Sequence, residues 1–217
     1  MDFGYEKDSK ERLPFEHYME IYKSLDPKSI SVRTGIPYDS TSQLFTLTFM
    51  GVTYTVSYPD YEVKHLDRED IGWFPLEEKA NARILILRFL TEGAMAPASG
   101  KFVTYREIPW GEVYFKQFQG RCLFRLAYGF GNKQEKFSEV CELTGARKLT
   151  HGDVSYELPF FGELKLQMIL WAGDDEFPPS AQILFSDNFP IAFIQGEDMA
   201  VVGDIAIDML KAVSNHS

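Results

Sequence analysis

The segment "LEEKANARILILRFLTEGAM", residues 76 to 95, restricts the possible folds of this chain more than any other stretch. Apolar residues at helical spacing share one face of it: Leu76, Ala80, Ile84, Leu87 and Leu90. Leu85 and Ile86 add a second apolar side, so such a helix has to be covered from more than one direction. We therefore predict a helix at the centre of a hydrophobic core, with Gly93 as its C-cap.

Other segments predict both helices and strands. "LFTLTFMGVTYTVSYPD" alternates apolar and polar residues, which predicts a β-hairpin closed near Gly51. Helical spacing predicts helices over residues 13–26 and 110–130, the second interrupted near Gly120, and another that stops near Gly145. Three strands and a closing helix are predicted after residue 147.

Together these elements predict the α+β class. We expect a single domain over residues 1–217, with an N-terminal β-hairpin, central helices and a C-terminal strand group closed by a helix. Residues 1–12 could form a flexible tail, and the order of the strands is not predicted.

Charge and composition exclude some functions. Apolar residues make up 45% of the chain and aromatic residues 15%, which predicts a folded globular protein. The net charge of −10 disfavours nucleic acid and anionic lipid as partners. No apolar run is long enough to span a membrane and the N-terminus lacks a secretory signal, so we expect a cytoplasmic protein without membrane contact.

Catalytic and cofactor motifs are missing from the sequence. It has two cysteines and four histidines, without CxxC, HExxH, P-loop or GxSxG patterns. Cys122 and Cys141 are expected to be buried apolar residues. The sequence identifies no cofactor and leaves enzymatic activity undecided.

Charges are segregated along the chain. Residues 166–210 contain no Lys, Arg or His, whereas residues 101–136 hold seven basic and three acidic residues, 7 − 3 = +4. The two segments are expected to face each other or to flank a common cleft. Surface complementarity is the favoured interpretation, and a cleft with one basic and one acidic wall is the alternative.

The turn "GDDEFPP" carries Asp174, Asp175 and Glu176 between two apolar segments. These carboxylates are candidate ligands for a hard cation, although adjacent residues on an extended chain point in opposite directions. Glu176 is the first candidate for an acid–base group and Asp175 is the second, because a like charge and an apolar neighbour raise a carboxyl pKa. A solvated turn that ends a strand is the structural alternative.

The basic segment interleaves cationic and aromatic residues in "GKFVTYREIPWGEVYFKQF". Aromatic rings beside Arg or Lys suit a flat anionic ligand, with stacking on the rings and charge pairing at the rim. Arg106, Tyr105 and Trp110 are the candidate ligand-binding residues. The alternative is that these aromatics belong to the core.

The chain resembles the bacterial family called domain of unknown function 3786 in three motifs that occur in order. They lie at Gly100 to Ile108, Trp171 to Phe185 and Glu197 to Gly203. The likeness covers most of the chain. It departs from the family pattern at Ser186, where Asp is common, and in "IQGED" at residues 194–198.

The resemblance implies no established activity. Similar proteins occur largely in anaerobic bacteria, and some carry an added iron–sulfur domain, which implies a link to anaerobic cofactor or redox metabolism. We expect an accessory or ligand-binding domain whose partner is a small molecule or a protein. The alternatives are an enzyme with an acid–base cleft between the GDDEFP turn and Arg106, and a protein–protein interaction module.

Overall fold

The computed structural model describes residues 8–216, which divide into two compact units. The first comprises the described residues up to 48 together with 52–67 and 74–95; the second comprises 49–51, 68–73 and the residues from 96 onward. Of the predicted tail, residues 1–7 lie outside the described part, and Asp8–Arg12 form a π-helical turn. The single domain over the whole chain stays a prediction.

The chain forms nine α-helices within the described residues: α1 Leu13–Ser24, α2 Pro27–Thr34, α3 Pro75–Glu78, α4 Ala80–Glu92, α5 Gly111–Phe118, α6 Phe124–Phe130, α7 Gln134–Leu143, α8 Phe189–Ala192 and α9 Gly196–His216. It forms nine strands in the same range: β1 Tyr38–Asp39, β2 Leu44–Phe49, β3 Val52–Ser57, β4 Val63–His65, β5 Phe102–Thr104, β6 Arg147–Lys148, β7 Val154–Phe161, β8 Leu164–Trp171 and β9 Ser180–Ser186. Antiparallel strands, central helices and a C-terminal helix confirm the α+β class. None of the helices among residues 8–216 has the length and apolar content needed to cross a bilayer.

The first unit is organised around α4. Its buried residues lie on more than one side of the helix, as predicted: Ala82, Leu85, Ile86, Leu87, Phe89, Leu90 and Thr91. Arg33 donates to the carbonyls of Leu90 and Thr91, at 2.6 and 3.1 Å, and so satisfies the last turn of α4. The β2–β3 hairpin closes where predicted, with Met50 and Gly51 at φ 50° and 79°.

Helix α2 occupies a segment that the sequence predicted as a polar connection. Asp26 caps it by accepting the backbone N–H of Ser29 at 2.8 Å, and Pro27 starts it. Gly35 ends it at φ 71°. The helix is short and only weakly amphipathic, so its caps, and not its apolar periodicity, define it.

The second unit contains the antiparallel strand order β6-β7-β8-β9-β5. One face of these strands is apolar and buried, with Tyr156, Met168 and Ile183 in register across β7, β8 and β9. Helices α6 and α7 contact these strands, and α9 contacts α5, α6 and α7. The opposite face of the strands carries Glu157 and Gln167 as a cross-strand pair.

Glu157 is a carboxylate with only 7% of its surface exposed. It accepts hydrogen bonds from Arg147 at 2.9 Å and Gln167 at 3.4 Å. Lys165 Nζ lies 3.5 Å from its other oxygen. Burial raises its pKa, but the hydrogen bonds from Arg147 and Gln167 outweigh burial, so the net effect lowers the pKa.

We expect Glu157→Gln to lower the free energy of unfolding by about 1 kcal/mol at neutral pH, since both cationic partners are largely exposed. Because the folded pKa is below the unfolded value, the ionised group stabilises the protein fully above the unfolded pKa of about 4.3. That contribution disappears as the pH falls through the folded pKa. Urea unfolding at several pH values should show the difference from the wild type shrinking on acidification. Glu163→Gln, at an exposed residue in the β7–β8 turn, is the control, and an equal pH dependence in both variants would contradict this assignment.

Candidate functional site

The acidic turn lies between β8 and β9 and is built around Asp174. Its carboxylate accepts the backbone N–H groups of Glu176 and Phe177, at 2.9 and 2.7 Å, and its own N–H donates to the carbonyl of Phe177. The hydrogen bonds from Phe177 and Glu176 hold the pKa of Asp174 below its usual value. The ionised carboxylate of Asp174 therefore stabilises the conformation of the turn. Asp175 and Glu176 are exposed to solvent.

Close packing holds the same turn in place. A side chain on Gly173 would meet Pro179 Cδ at 2.7 Å, and one on Gly131 would meet Pro179 Cβ at 2.4 Å. The Gly173 N–H also donates to Asn132 at 3.0 Å. Gly173, Asp174 and Pro179 therefore each stabilise the conformation of the turn.

Metal binding and catalysis by this turn stay predictions. Within residues 8–216, no group of three or more His, Cys, Asp or Glu side chains is placed to hold a metal ion. No hydrogen bond or ion pair between described residues joins the turn to Arg106. Arg106 instead pairs with Glu112 at 3.4 Å, and its guanidinium carbon lies 3.8 Å from the centre of the Phe115 ring.

The three predicted ligand-binding residues lie in different environments. Arg106 is exposed, whereas Tyr105 is 1% exposed and stacks on Phe118 with ring centroids 4.0 Å apart. The Tyr105 hydroxyl donates to the carbonyl of Gly196 at 2.7 Å. Trp110 is 69% exposed and adopts φ 64°, an uncommon value for a residue other than glycine. The structure therefore separates the buried Tyr105 ring from the two exposed side chains.

The predicted facing of basic and acidic segments is present between residues 121–125 and α9. Asp204 accepts from Arg121 Nε and from Arg125 Nη1, both at 2.9 Å, and Arg125 also pairs with Asp208. Burial lowers the pKa of Arg125, but its bonds to Asp208 and Asp204 raise it overall. The arginine therefore stays charged, and its geometry is fixed by two carboxylates.

A π-helical turn, Gln119–Leu123, joins α5 to α6 at the place where the sequence predicted an interruption. Its buried Cys122 lies 3.4 Å from the carbonyl of Ala200, and burial together with the charge of Asp204 raises the pKa of its thiol. Burial likewise raises the pKa of Cys141. Both cysteines are buried, as predicted. Single π turns within helices are frequent at functional sites.

Directly beside this turn lies a groove of about 370 Å³, which we name the aromatic–basic groove. It is lined by Gly120, Phe124, Arg125, Tyr128, Gly129 and Lys211. Phe124 and Tyr128 are 49% and 66% exposed, and their ring centroids are 6.2 Å apart. A side chain on Gly120 would meet nothing within 4 Å, so this glycine leaves the groove open.

The groove offers two chemical functions. The faces of Phe124 and Tyr128 can stack on a planar group, and Arg125 and Lys211 provide positive charge. Lys211 has no ion-pair partner among residues 9–215, and its stem lies against Gly129, whose added Cβ would be 3.3 Å from Lys211 Cε. Counting Arg121, Arg125 and Lys211 against Asp204 and Asp208, the local charge is 3 − 2 = +1.

The sequence predicted aromatic and cationic ligand contacts at other residues of the same basic segment, Arg106, Tyr105 and Trp110. The available signal was helical spacing, since Phe124 and Tyr128 lie four positions apart and therefore on one face. That signal does not show whether the face is covered, and exposed aromatics look like core aromatics in a sequence. Lys211, on the last helix, is brought to the groove by tertiary packing alone.

Comparison with known proteins identifies the family. The family model described as Domain of unknown function (DUF3786) matches residues 26–209. The chain belongs to this family. The predicted resemblance is therefore confirmed, and no curated protein or solved structure matches the chain significantly. The part matched to DUF3786 contains the acidic turn and all of the groove except Lys211.

Proposed function

We propose that this DUF3786 protein is a cytoplasmic accessory domain that binds a small, flat, anionic ligand in the aromatic–basic groove and has no catalysis of its own. The observation that supports this most is the presence of two exposed aromatic rings and two cations in one concave surface of about 370 Å³. The groove is shallow and open to solvent, so it can cover one face of a flat ligand. In this proposal the ligand contacts Phe124, Arg125, Tyr128 and Lys211. These residues replace the candidates predicted from the sequence, Arg106, Tyr105 and Trp110.

Lys211 is the residue that selects for negative charge. Arg125 is already paired with Asp204 and Asp208, so its charge is largely balanced. The Lys211 ammonium is not balanced by any described carboxylate and can reach an anion at the rim of the groove. Stacking on the two rings contributes on the order of 1 kcal/mol each beyond area burial.

Binding is a better match to the groove than acid–base chemistry. Among the described residues that line it, there is no carboxylate, histidine or cysteine. The cytoplasmic location and the link to anaerobic cofactor or redox metabolism rest on the sequence and its resemblance. The net charge of −10 supports a small ligand over a nucleic acid.

A titration with matched ligands tests the proposal. We expect flavin mononucleotide to bind more tightly than riboflavin, which has the same ring system without the phosphate. Adenosine monophosphate and anilinonaphthalene sulfonate extend the test to other flat anions. Tyr128→Ala should weaken binding of each probe that binds by about fivefold to tenfold, and Lys211→Gln should remove the preference for the phosphate.

Matched variants control the titration. Tyr114→Ala removes an exposed aromatic of α5 outside the groove, and Lys116→Gln removes an exposed cation of the same helix. Both should bind as the wild type does, by isothermal calorimetry or fluorescence. If no flat anion binds at millimolar concentration, or if Tyr114→Ala weakens binding as much as Tyr128→Ala, the groove is not the ligand site.

A protein–protein interaction module is the second candidate. It is favoured by apolar side chains exposed outside the groove: Trp110 at 69%, Val113 at 68% and Ile194 at 58%. Trp110 and Ile194 belong to neighbouring segments, since a side chain on Gly196 would meet Trp110 Cβ at 3.3 Å. Cross-linking from position 110 in host cells, compared with position 143 on α7, would reveal a partner specific to this surface.

A further inference from the structure

The side chain of Arg83, on α4 in the first unit, contacts aromatic rings but no hydrogen-bond acceptor among the described residues. Its side chain makes no hydrogen bond or ion pair with any described residue, and its buried Nε has no acceptor. Every other arginine of residues 8–216 contacts a carboxylate or a backbone carbonyl: Arg12, Arg33, Arg68, Arg88, Arg106, Arg121, Arg125 and Arg147. A buried, unsatisfied donor on a charged group costs free energy unless something else satisfies it.

Two aromatic rings hold the guanidinium in place. The Arg83 Cζ lies 4.9 Å from the centre of the Phe15 ring and 6.0 Å from that of Tyr61. The buried Tyr61 in turn donates its hydroxyl hydrogen to the backbone carbonyl of Arg83 at 2.8 Å. These contacts position the cation without neutralising it.

Arg83 lines a pocket of about 370 Å³ that also contains Glu62, Val63, Lys64, Leu76 and Glu77. Glu77 forms no ion pair with Arg83; it accepts from the His65 backbone N–H at 2.6 Å and contacts His65 Nδ1 at 2.8 Å. Lys64 is exposed at the rim and forms no ion pair with the described residues. Val63 is partly exposed and adds an apolar wall, whereas Leu76 is fully buried and presents no surface to a ligand.

We infer that this pocket binds a small monocarboxylate, whose oxygens pair with the Arg83 guanidinium and whose apolar tail contacts Val63. A carboxylate can pair with the two terminal nitrogens of the guanidinium in the bidentate geometry that arginine favours, whereas the buried Nε lies out of its reach. Glu62 and Glu77 in the same pocket repel anions of higher charge, so a monoanion is preferred to phosphate. This site is separate from the aromatic–basic groove and does not depend on it.

The Arg83 Nε–H resonance in a ¹⁵N-labelled protein reports on this site directly. Titration with 4-methylpentanoate should shift that resonance to saturation. Acetate, which lacks the tail, should bind more weakly, and phosphate more weakly still. The amine 3-methylbutylamine has nearly the same tail without the carboxylate and should give no saturating shift.

Variants separate the site from general charge effects. Arg83→Lys should weaken binding of 4-methylpentanoate about tenfold, because lysine keeps the charge but loses the fork. Lys64→Gln, at an exposed residue, should weaken it severalfold without affecting folding, and Lys79→Gln, outside the pocket, should not. Absence of a saturating shift with 4-methylpentanoate would overturn the inference. An equal shift with chloride or phosphate, or equal effects of Lys64→Gln and Lys79→Gln, would also overturn it.

Discussion

Gly111→Ala is expected to destabilise the second unit by about 3 kcal/mol, or to prevent its folding. An added Cβ would lie 1.7 Å from the carbonyl oxygen of Tyr105 and 2.9 Å from Ile108 Cγ1. The carbonyl belongs to the backbone, so no rotation of a side chain relieves the overlap. Urea unfolding followed by circular dichroism measures the loss.

Gly120→Ala is the matched control for this prediction. It is also a glycine in the continuous helical stretch that carries the groove, and its added Cβ would meet nothing within 4 Å. Replacing glycine by alanine in a helix contributes about 0.5–1 kcal/mol of stability, so this variant should be neutral or slightly more stable. Similar unfolding midpoints for the two variants would show that Gly111 does not approach Tyr105 so closely.

Asp204→Asn is expected to lower the free energy of unfolding by about 2 kcal/mol. Asp204 is 8% exposed and accepts from both Arg121 and Arg125, so its neutralisation leaves two guanidinium groups with a weaker acceptor. We expect less than the loss for a fully buried pair, because the arginine side chains are 45% and 35% exposed. The loss should be smaller at high salt, since salt screens the exposed part of the network.

Asp208→Asn controls for the change in net charge. Asp208 is 40% exposed and pairs only with Arg125 in the described network, so its loss should cost less than 1 kcal/mol. Both variants make the groove more positive by one charge, but only Asp204→Asn removes the acceptor shared by Arg121 and Arg125. Equal losses of stability in the two variants would contradict a central role for Asp204.

Local sequence patterns predicted much of the fold, because they report local preferences and burial. The apolar helix at residues 76–95 follows from its periodicity, although the structure divides it at Lys79 into α3 and α4. The hairpin follows from alternation around Met50–Gly51. Helix α2 was not predicted, because the caps Asp26 and Gly35 determine where it begins and ends and it lacks a pronounced apolar face.

The partners of the charged and aromatic residues could not be predicted in this way. Charge counts indicated that a basic and an acidic segment face each other, but Arg121 and Asp204 are 83 positions apart and only the fold selects that pair. Tyr105 was predicted as a ligand contact, and its ring is buried against Phe118. The sequence does not show whether the side of a helix or turn that carries an aromatic residue is covered by other parts of the protein.

The role of the carboxylates in the acidic turn could not be predicted from the sequence either. Asp174, Asp175 and Glu176 suggested a reactive or metal-binding site, and the structure gives Asp174 a role in satisfying two backbone N–H groups. A carboxylate that fixes a turn and one that binds a ligand look alike in the sequence. The hydrogen-bond partners show the structural role of Asp174, and those partners depend on the conformation of the turn.

Anaerobic purification of the untagged protein from its own host, followed by native mass measurement and absorption spectroscopy, tests the central proposal most directly. We predict a stoichiometric added mass from a flat, anionic compound that absorbs beyond the protein band, and its loss in the double variant Tyr128→Ala with Lys211→Gln. A wild-type chain with the mass of the polypeptide alone would contradict the proposal. A bound compound that the double variant retains in full would contradict the assignment of the groove.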